Sequence, residues 1–291
     1  MKKQPTVLIL GITGMLGQTL FKVLSKDKGL EVFGTARNKS AKDLFPISLV
    51  KKIITDVHAE NLDSLANLLS SIKPDVIINC IGVVKQRMSG NNVLDTIPIN
   101  TLMPHQLANL TKKIKARLIH ISTDCVFLGD KGNYKESNIP DSTDLYGQSK
   151  FLGEVKNLRH VLTIRTSIIG HELQSNHGLL EWFLSQNKSA PGYSNAIFSG
   201  STTKELSCII RDLILPNSDL WGLYHIGSEP ISKYDLLNLI AKIYDKKIKV
   251  IEQPVPALDR SLNCDKFIQK TQYRIKDWKT LISQMRAFHL G

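Results

Sequence analysis

The amino-acid sequence predicts an α/β protein built on a doubly wound parallel sheet, with a smaller second domain towards the C-terminus. Two observations support this fold class. Short apolar segments of β type alternate with segments of helical periodicity through the first half of the 291-residue chain. The first apolar segment ends in a glycine-rich turn that opens a helical segment. Such alternation gives parallel sheets that are covered by helices on both faces.

The individual elements follow from the period of their apolar residues. The predicted strands lie at residues 6–10, 30–36, 76–81, 117–122 and 161–164. The predicted helices between them lie at residues 15–24, 62–71 and 103–115. We therefore expect residues 1–165 to form a nucleotide-binding domain.

Beyond residue 167 the alternation weakens. A turn-rich segment at 190–193 and a helix at 233–244 are typical of a region with another task. The apolar run 222–226 predicts a strand that returns to the main sheet. We expect residues 166–291 to form mainly a substrate-binding domain, apart from that strand.

Composition narrows the classes of partner. The chain has 38 Lys and Arg against 26 Asp and Glu, but the charge is dispersed and no aromatic-rich motif accompanies it, so nucleic-acid binding is not expected. No apolar run approaches the roughly 20 residues that cross a bilayer, so we expect a cytoplasmic protein without a membrane partner. The four cysteines are far apart and no histidine spacing matches a metal site, so neither disulfides nor a metal is expected.

A glycine-rich turn joins the first strand to the first helix. Its spacing is GxxGxxG, whereas the standard dinucleotide fingerprint is GxGxxG. Glycines at this place let the backbone approach a pyrophosphate, to which the helix N-terminus offers unpaired N–H groups. A tight turn without a ligand is the alternative, but its place in an alternating α/β chain favours Rossmann-type binding. The expected contacts are Gly11, Thr13, Gly14, Met15, Leu16 and Gly17.

The end of the second strand bears on the choice between NAD and NADP. An acidic residue there binds the ribose 2′-hydroxyl of NAD, but this chain has Arg37 and no carboxylate at 34–38. A guanidinium suits a 2′-phosphate, so NADPH is the preferred cofactor and NADH the alternative; a solvated surface arginine is the plainer interpretation. From their order along the chain, five residues are expected near the adenine and the sugar-phosphate edge: Asp56, Val57, Cys80, Ile81 and Gly82.

Tyr146 and Lys150 form a YxxxK pair on a predicted helix. The four-residue spacing puts the phenol and the ammonium on one face. A cation beside a phenol lowers its pKa from about 10, so the pair can donate or remove a proton. Chance also places YxxxK on amphipathic helices, but here the strand 117–122 delivers Thr123 to the same edge of the sheet. Thr123 would hydrogen-bond a substrate carbonyl and share the charge that grows on its oxygen.

These motifs and their order along the chain resemble those of the extended short-chain dehydrogenases/reductases. Within that group they most resemble the dTDP-4-dehydrorhamnose reductase family. The resemblance covers most of the chain and is far more specific than any one motif. It rests on the GxxGxxG turn, Ser122-Thr123-Asp124-Cys125-Val126-Phe127, Tyr134-Lys135-Glu136, Tyr146-Gly147-Gln148-Ser149-Lys150, Gly153-Glu154, Ile164-Arg165-Thr166-Ser167 and Gly222-Leu223-Tyr224-His225-Ile226.

The resemblance implies hydride transfer from NADPH to the C4 ketone of a nucleotide-linked 6-deoxy sugar, in deoxy-sugar and surface-polysaccharide biosynthesis. Tyr146 would protonate the oxygen, Lys150 would bind the nicotinamide ribose and tune Tyr146, and Thr123 would position the carbonyl. Asn100 would lie near the active-site helix and the cofactor. The second domain would hold the sugar nucleotide, and homodimers are common in such families.

Two departures from the family pattern leave the sugar open. Cys125 stands where the family commonly has tyrosine. Ile168 stands where the family often has an aromatic residue that touches the sugar. A dTDP-linked rhamnose precursor and a UDP-linked 2-acetamido-deoxy hexulose are therefore both candidates for the substrate.

Other functions fit the same fold. A sugar-nucleotide epimerase uses a Tyr/Lys pair with tightly held NAD, and Arg37 counts against it without excluding it. A 4,6-dehydratase typically has Asp-Glu directly after the threonine, where this chain has Asp124-Cys125. A regulatory subunit, similar to the beta subunit of methionine adenosyltransferase, is the non-enzymatic alternative. The joint presence of the three candidate catalytic groups argues against it.

Overall fold

The structure is a computed structural model and describes residues 4–84 and 92–290. Its strands are β1 (Thr6–Leu10), β2 (Glu31–Thr35), β3 (Ile53–Ile54), β4 (Val76–Asn79), β5 (Arg117–Thr123), β6 (Val161–Thr166), β7 (Ile168–Ile169), β8 (Ser189–Tyr193), β9 (Ala196–Phe198), β10 (Ser201–Thr202), β11 (Gly222–His225), β12 (Ile231–Ser232), β13 (Lys249–Gln253) and β14 (Leu258–Asp259). Its α-helices are α1 (Met15–Ser25), α2 (Ile47–Val50), α3 (Leu62–Ile72), α4 (Val93–Ile97), α5 (Met103–Lys113), α6 (Leu145–Leu152), α7 (Leu179–Ser185), α8 (Thr203–Ile209), α9 (Lys233–Ile243), α10 (Asp265–Thr271) and α11 (Trp278–Leu290). Shorter helical turns lie at Lys39–Leu44, Pro98–Leu102, Asp124–Val126 and Ile210–Ile214.

Seven of the described strands form one parallel sheet in the order β11-β6-β5-β4-β1-β2-β3. The chain runs outward from β1 to β3 and then returns to the other side of β1 to begin β4. Ligands of open α/β sheets bind at such a switch point, outside the carboxyl ends of the strands. The predicted doubly wound parallel sheet is confirmed.

Helices cover both faces of the sheet because successive strand residues point to opposite sides. On β1, Val7 and Ile9 join one apolar core with α1 and α8, whereas Leu8 and Leu10 join another with α3 and α5. All five residues of β1 are buried. Burial on both faces explains why this strand is a continuous apolar run in the sequence.

The chain beyond β6 forms short, interleaved elements. Strand β10 pairs with β7, β12 and β14 flank β9, and β13 pairs with β8. A third apolar core, which includes Phe183, Leu236 and Trp278, joins α7, α9 and α11. Strand β11 returns to the main sheet beside β6. Five of the seven strands other than β11 have only two or three residues, and such short segments carry no measurable period. Strand β8 covers the segment 190–193 that was predicted as turn-rich, because Pro191 and Gly192 are typical of turns.

Among residues 4–84 and 92–290, none of the helices has the length and apolar character that crossing a bilayer requires. All four cysteines are free thiols. Within the same two ranges, no group of three or more His, Cys, Asp or Glu side chains is placed to hold a metal ion. The ionisable groups of interest lie instead along the carboxyl edge of the main sheet.

Candidate active site

A cleft of about 330 Å³ opens at the carboxyl ends of β1, β2 and β4, at the switch point of the sheet. The loop at residues 172–175 completes its wall. Nine of the residues that the sequence predicted at a cofactor line this cleft: Gly11, Thr13, Gly14, Met15, Arg37, Val57, Cys80, Ile81 and Gly82.

The three glycines of the turn do different things. Gly11 has a φ of +84°, and a Cβ on it would lie 2.8 Å from Ile81 Cγ1. A Cβ on Gly17 would lie 2.1 Å from Gly11 O, so Gly17 brings α1 onto β1 and packs beneath the cleft, as does the buried Leu16. A Cβ on Gly14 would meet only Gly11 O, at 3.5 Å. Protein packing therefore does not require glycine at position 14, whereas a ligand close to the backbone would.

The N-terminus of α1 faces this cleft. Gly14 caps the helix without a side-chain hydrogen bond, and the first turn contains no acidic residue. Thr13 and Met15 on either side of it line the cleft. Unpaired N–H groups and the helix dipole favour an anion at such a place. These residues fit the pyrophosphate of a dinucleotide.

The end of β2 presents Arg37 to the cleft with its side chain exposed. Asn38 and Ser40, which the sequence analysis did not single out, line the cleft beside it. Asp56 does not line it: its backbone has a φ of +62°, and its exposed carboxylate lies 4.0 Å from Lys39 Nζ. This end of the cleft therefore offers one guanidinium and two neutral hydrogen-bonding side chains.

Lys150, on α6, is buried below the floor of the cleft and only 5% exposed. Its Nζ donates to the carbonyl oxygen of Ile121 at 2.7 Å. A Cβ on the cleft-lining Gly82 would lie 3.8 Å from this ammonium. Burial lowers the pKa of Lys150 to about 8. The group can therefore gain or lose a proton near physiological pH.

Tyr146 lies one turn before Lys150 on α6, half-buried near the end of β5. Burial raises the pKa of Tyr146 above its ordinary value, Cys125 raises it further, and the neighbouring hydroxyl of Thr123 lowers it. The sequence predicted that Lys150 would lower this pKa, but in the structure desolvation outweighs any favourable charge. The phenol is therefore neutral at physiological pH and able to donate a proton.

Thr123 ends β5, and its hydroxyl makes two hydrogen-bond contacts among the described residues. Its Oγ1 accepts from the backbone N–H of Cys125 at 3.1 Å and lies 3.0 Å from Asp124 Oδ1, to which it can donate. The proximity of this hydroxyl lowers the pKa of the Tyr146 phenol. The hydroxyl is thus fixed beside the phenol, as the pairing of strand end and helix predicted.

Asn100 joins the loop after β4 to the active-site helix. Its Oδ1 accepts from the N–H of Val83 at 2.9 Å, and its Nδ2 lies 3.0 Å from Val83 O and 3.1 Å from Ser149 Oγ. The side chain is 1% exposed and does not line the cleft. Asn100 therefore fixes the cleft floor against α6; its Oδ1 would lie 3.4 Å from a Cβ on the cleft-lining Gly82, and its contact with a cofactor stays a prediction.

Comparison with known proteins places this architecture in a family. The sequence matches the family described as RmlD substrate binding domain over residues 5–288. The chain belongs to this family. The resemblance inferred from the motifs is confirmed.

Two curated relatives differ in what they are named for. The dTDP-4-dehydrorhamnose reductase of Aggregatibacter actinomycetemcomitans is 26% identical over 314 residues, which cover 97% of this chain and 98% of that protein. Methionine adenosyltransferase 2 subunit beta of Danio rerio is 25% identical over 268 residues, which cover 86% of this chain and 79% of that protein. The RmlD family therefore relates this chain both to a reductase and to an enzyme subunit.

A solved structure shows the same fold. The dTDP-4-dehydrorhamnose reductase of Bacillus anthracis, in complex with NADP, aligns with a TM-score of 0.79 and 20% sequence identity. The alignment covers 98% of this chain and 99% of that one. The α/β architecture of RmlD-family proteins is therefore shared over almost the full length.

Two charged groups of this RmlD-family site were not predicted as functional. Burial raises the pKa of Asp124, while the bond from Thr123 and the charge of Arg260 lower it. Arg260 Nη1 also lies 3.4 Å from Cys125 Sγ. Arg260 comes from the turn after β14, and no local pattern marks a residue that reaches the site from so far along the chain.

A buried ion pair supports the site from behind. Glu154 accepts from Arg165 Nε at 2.6 Å and Nη2 at 2.7 Å, and from Ser122 Oγ at 2.8 Å. Lys156 Nζ lies 2.9 Å from the same carboxylate. Both charges of the pair are buried, so each depends on the other. The motifs Gly153-Glu154 and Ile164-Arg165 thus hold the end of α6 against β5 and β6.

Proposed function

We propose that this RmlD-family chain is an NADPH-dependent reductase of the C4 ketone of a nucleotide-linked 6-deoxy sugar. The observation that carries the proposal has two parts: Thr123 lies beside the phenol of Tyr146, and Lys150, one turn later on α6, has its ammonium 3.8 Å from the Cβ position of the cleft-lining Gly82. A bound nicotinamide supplies hydride to the carbonyl carbon. The protein must then supply one proton to the carbonyl oxygen, which becomes the hydroxyl of the product.

Tyr146 is the proton donor in this proposal. Its neutral phenol gives the proton to the carbonyl oxygen and becomes a phenolate, which the ammonium of Lys150 stabilises. Thr123 lies beside the phenol and holds the substrate oxygen in line with it. The lowered pKa of Lys150, about 8, lets that group take part in reprotonation.

The cofactor preference rests on the end of β2. Arg37 is the cation placed to bind a 2′-phosphate, and Asn38 and Ser40 add neutral donors beside it. The NADP in the Bacillus anthracis structure supports the same choice. NADH is the weaker cofactor in this proposal.

Residues 166–291 mainly hold the sugar nucleotide, dTDP- or UDP-linked. Their elements flank the catalytic groups, and Arg260 reaches Cys125 from them. Cysteine is smaller than the tyrosine common at that place in the family, so the sugar can differ from that of the dehydrorhamnose reductases.

The test is NADPH oxidation by the purified chain with a panel of dTDP- and UDP-linked 4-keto-6-deoxy sugars, run in parallel with NADH. Oxidation with one sugar and a preference for NADPH would establish the reductase. Absence of turnover together with NAD released on denaturation would identify an epimerase instead.

A regulatory subunit is the second candidate, because methionine adenosyltransferase 2 subunit beta is among the relatives. In that case the chain binds a dinucleotide or a partner enzyme without turning over any sugar of the panel. Absence of turnover with binding of NADPH by calorimetry would favour this candidate over the epimerase.

A further inference from the structure

A second, smaller cavity lies between α1, α8 and α11. Its volume is about 40 Å³, and none of the residues that line it lines the cofactor cleft. Since one water needs roughly 10–15 Å³ by this kind of measure, the cavity holds about three waters or one small polyatomic ion. The side chains that line it include Gln18, Lys22, His171, Lys204, Phe288 and His289.

The charge of this cavity is one-sided. The residues lining it include two lysines and two histidines and no acidic residue. In the described part of the chain, neither Lys22 nor Lys204 has a carboxylate within ion-pair distance. The Nζ of Lys204 lies 3.1 Å from the thiol sulfur of Cys208, a weak acceptor. Burial and the charge of Lys26 lower the pKa of Lys22.

Two acidic groups near the cavity are already engaged. Asp212 pairs with Arg211, a bond that lowers its pKa, as the charge of Lys204 also does, and Glu181 pairs with His171. Glu181 Oε1 lies 2.6 Å from His171 Nδ1, and the other ring nitrogen of His171 lies 2.9 Å from the hydroxyl of Tyr244. His289 stacks on this imidazole, with ring centroids 3.6 Å apart. The ammonium groups of Lys204 and Lys26 lie 5.1 and 5.5 Å from the ring centroid of Phe288. The cavity therefore keeps an excess of positive charge near its mouth.

Gln18 adds an unpaired acceptor to the cavity. Its side chain is 5% exposed, and its Nε2 donates to the carbonyl oxygen of His171 at 3.0 Å. Its Oε1 is buried and has no hydrogen-bond partner among the described residues. A buried acceptor without a donor is costly, so a ligand of this cavity has to bring a donor as well as negative charge.

We propose that this cavity is a site for inorganic phosphate, bound as hydrogen phosphate. Lys22 and Lys204 bind the anionic oxygens, and the P–OH of the hydrogen phosphate donates to Gln18 Oε1. Sulfate has the same shape but no proton to donate at neutral pH. The site therefore selects phosphate over sulfate, in addition to attracting anions.

The test is calorimetric titration of the full chain with inorganic phosphate, sodium sulfate and methyl phosphate. We expect one saturable phosphate site with a dissociation constant of about 1 mM or tighter, and binding of sulfate weaker by about tenfold. Methyl phosphate has no P–OH to donate at about pH 7.5 and should therefore bind as weakly as sulfate, whereas binding as tight as that of inorganic phosphate would overturn the role of Gln18 Oε1. Absence of saturable phosphate binding, or equal binding of sulfate, would overturn the proposal.

Variants locate the site. Lys22→Met and Lys204→Met should each weaken phosphate binding about tenfold, whereas Lys113→Met, on the exposed end of α5, should not change it. Lys22→Arg retains the charge and should retain most of the affinity if Lys22→Met proves unstable. Phosphate binding that is unchanged in both methionine variants would place the ion elsewhere, such as at the start of α1, and refute the assignment.

Discussion

The candidate site has a cofactor half, which is the cleft, and a catalytic half, which is Thr123, Tyr146 and Lys150, and the two are built by different means. In the cofactor half, backbone conformation forms most of the site. Gly11 adopts a positive φ, and Gly14 leaves room for a ligand beside the backbone. The exposed side chain of Arg37 lies at the rim. In the catalytic half, side chains form the site, and burial shifts the pKa of Tyr146 and of Lys150.

This difference teaches which part of an active site a sequence can reveal. The cofactor half depends mostly on residues that are close together in the chain, so their spacing in the sequence is enough to predict most of it. In the catalytic half, the pKa values depend on desolvation, which arises only when elements that are distant in the chain pack around the side chains. The two halves should therefore respond differently to substitution, the first through binding and packing, the second through chemistry and pH.

The largest expected effect belongs to the catalytic half. Tyr146→Phe removes the proposed proton donor but keeps the ring, so kcat for NADPH-dependent reduction should fall by about 10² to 10⁴. The affinity for NADPH should be nearly unchanged, since phenylalanine keeps the aromatic ring and removes only the hydroxyl. Steady-state kinetics and calorimetry measure the two quantities separately.

Tyr224→Phe is the matched control for that variant. Tyr224 is also buried and has a raised pKa, but it lies on β11 in an apolar core that includes Phe267. Its hydroxyl should be dispensable for turnover. Equal activity of the wild-type chain and Tyr146→Phe would refute the proposed proton donor and blur the distinction between the two halves.

Two alanine variants separate packing from binding within the cofactor half. Gly17→Ala puts a Cβ 2.1 Å from Gly11 O, so the free energy of unfolding should fall by about 1–3 kcal/mol. Gly14→Ala meets only an ordinary contact at 3.5 Å, so unfolding should change little while NADPH affinity falls. Denaturant unfolding measures the stability of the two variants, and calorimetry measures their affinity for NADPH. Loss of stability in both variants would contradict the inference that Gly14 leaves room for a ligand.

The sequence predicted the α/β sheet because its central strands are long and buried on both faces, as the apolar run of β1 is. It did not predict the two-residue strand β3 or the interleaved strands beyond β6, whose pairing depends on partners far along the chain. The glycine turn and Arg37 were found from local spacing. The sequence could assign positions there but could not tell that Gly17 serves packing and Gly14 leaves room.

The catalytic half was predicted by residue type but not by electrostatics. Thr123 lies beside the Tyr146 phenol, and Lys150 follows one turn later on α6, where its Nζ donates to the carbonyl oxygen of Ile121. The direction of the Tyr146 pKa shift was wrong because spacing places a cation but contains no information on burial. Arg260 was missed because only the folded chain brings it to Cys125.

Arg37→Met tests the rim of the cofactor half. Loss of the guanidinium should weaken NADPH binding about tenfold and leave NADH binding almost unchanged, because only NADPH carries the 2′-phosphate. The ratio of kcat/KM for the two cofactors measures this preference. Lys39→Met removes a neighbouring exposed charge that does not line the cleft and is the control for a general electrostatic effect.

A further expected effect is a pH dependence of stability that only the catalytic half should show. Lys150 has a pKa of about 8 when folded against an ordinary value of 10.5, so between these values the unfolded chain binds more protons than the folded chain. The contribution of Lys150 to stability therefore rises with pH across that window, by at most about 1.4 kcal/mol per pH unit. The quantity to measure is the difference in unfolding free energy between the wild-type chain and Lys150→Met, which cancels the cysteines and tyrosines that titrate in the same range. If this difference in unfolding free energy grows from pH 8 to 10, Lys150 is desolvated in the folded chain. If the two free energies change in parallel with pH, solvent reaches Lys150. The catalytic half would then differ less from the cofactor half than the geometry indicates.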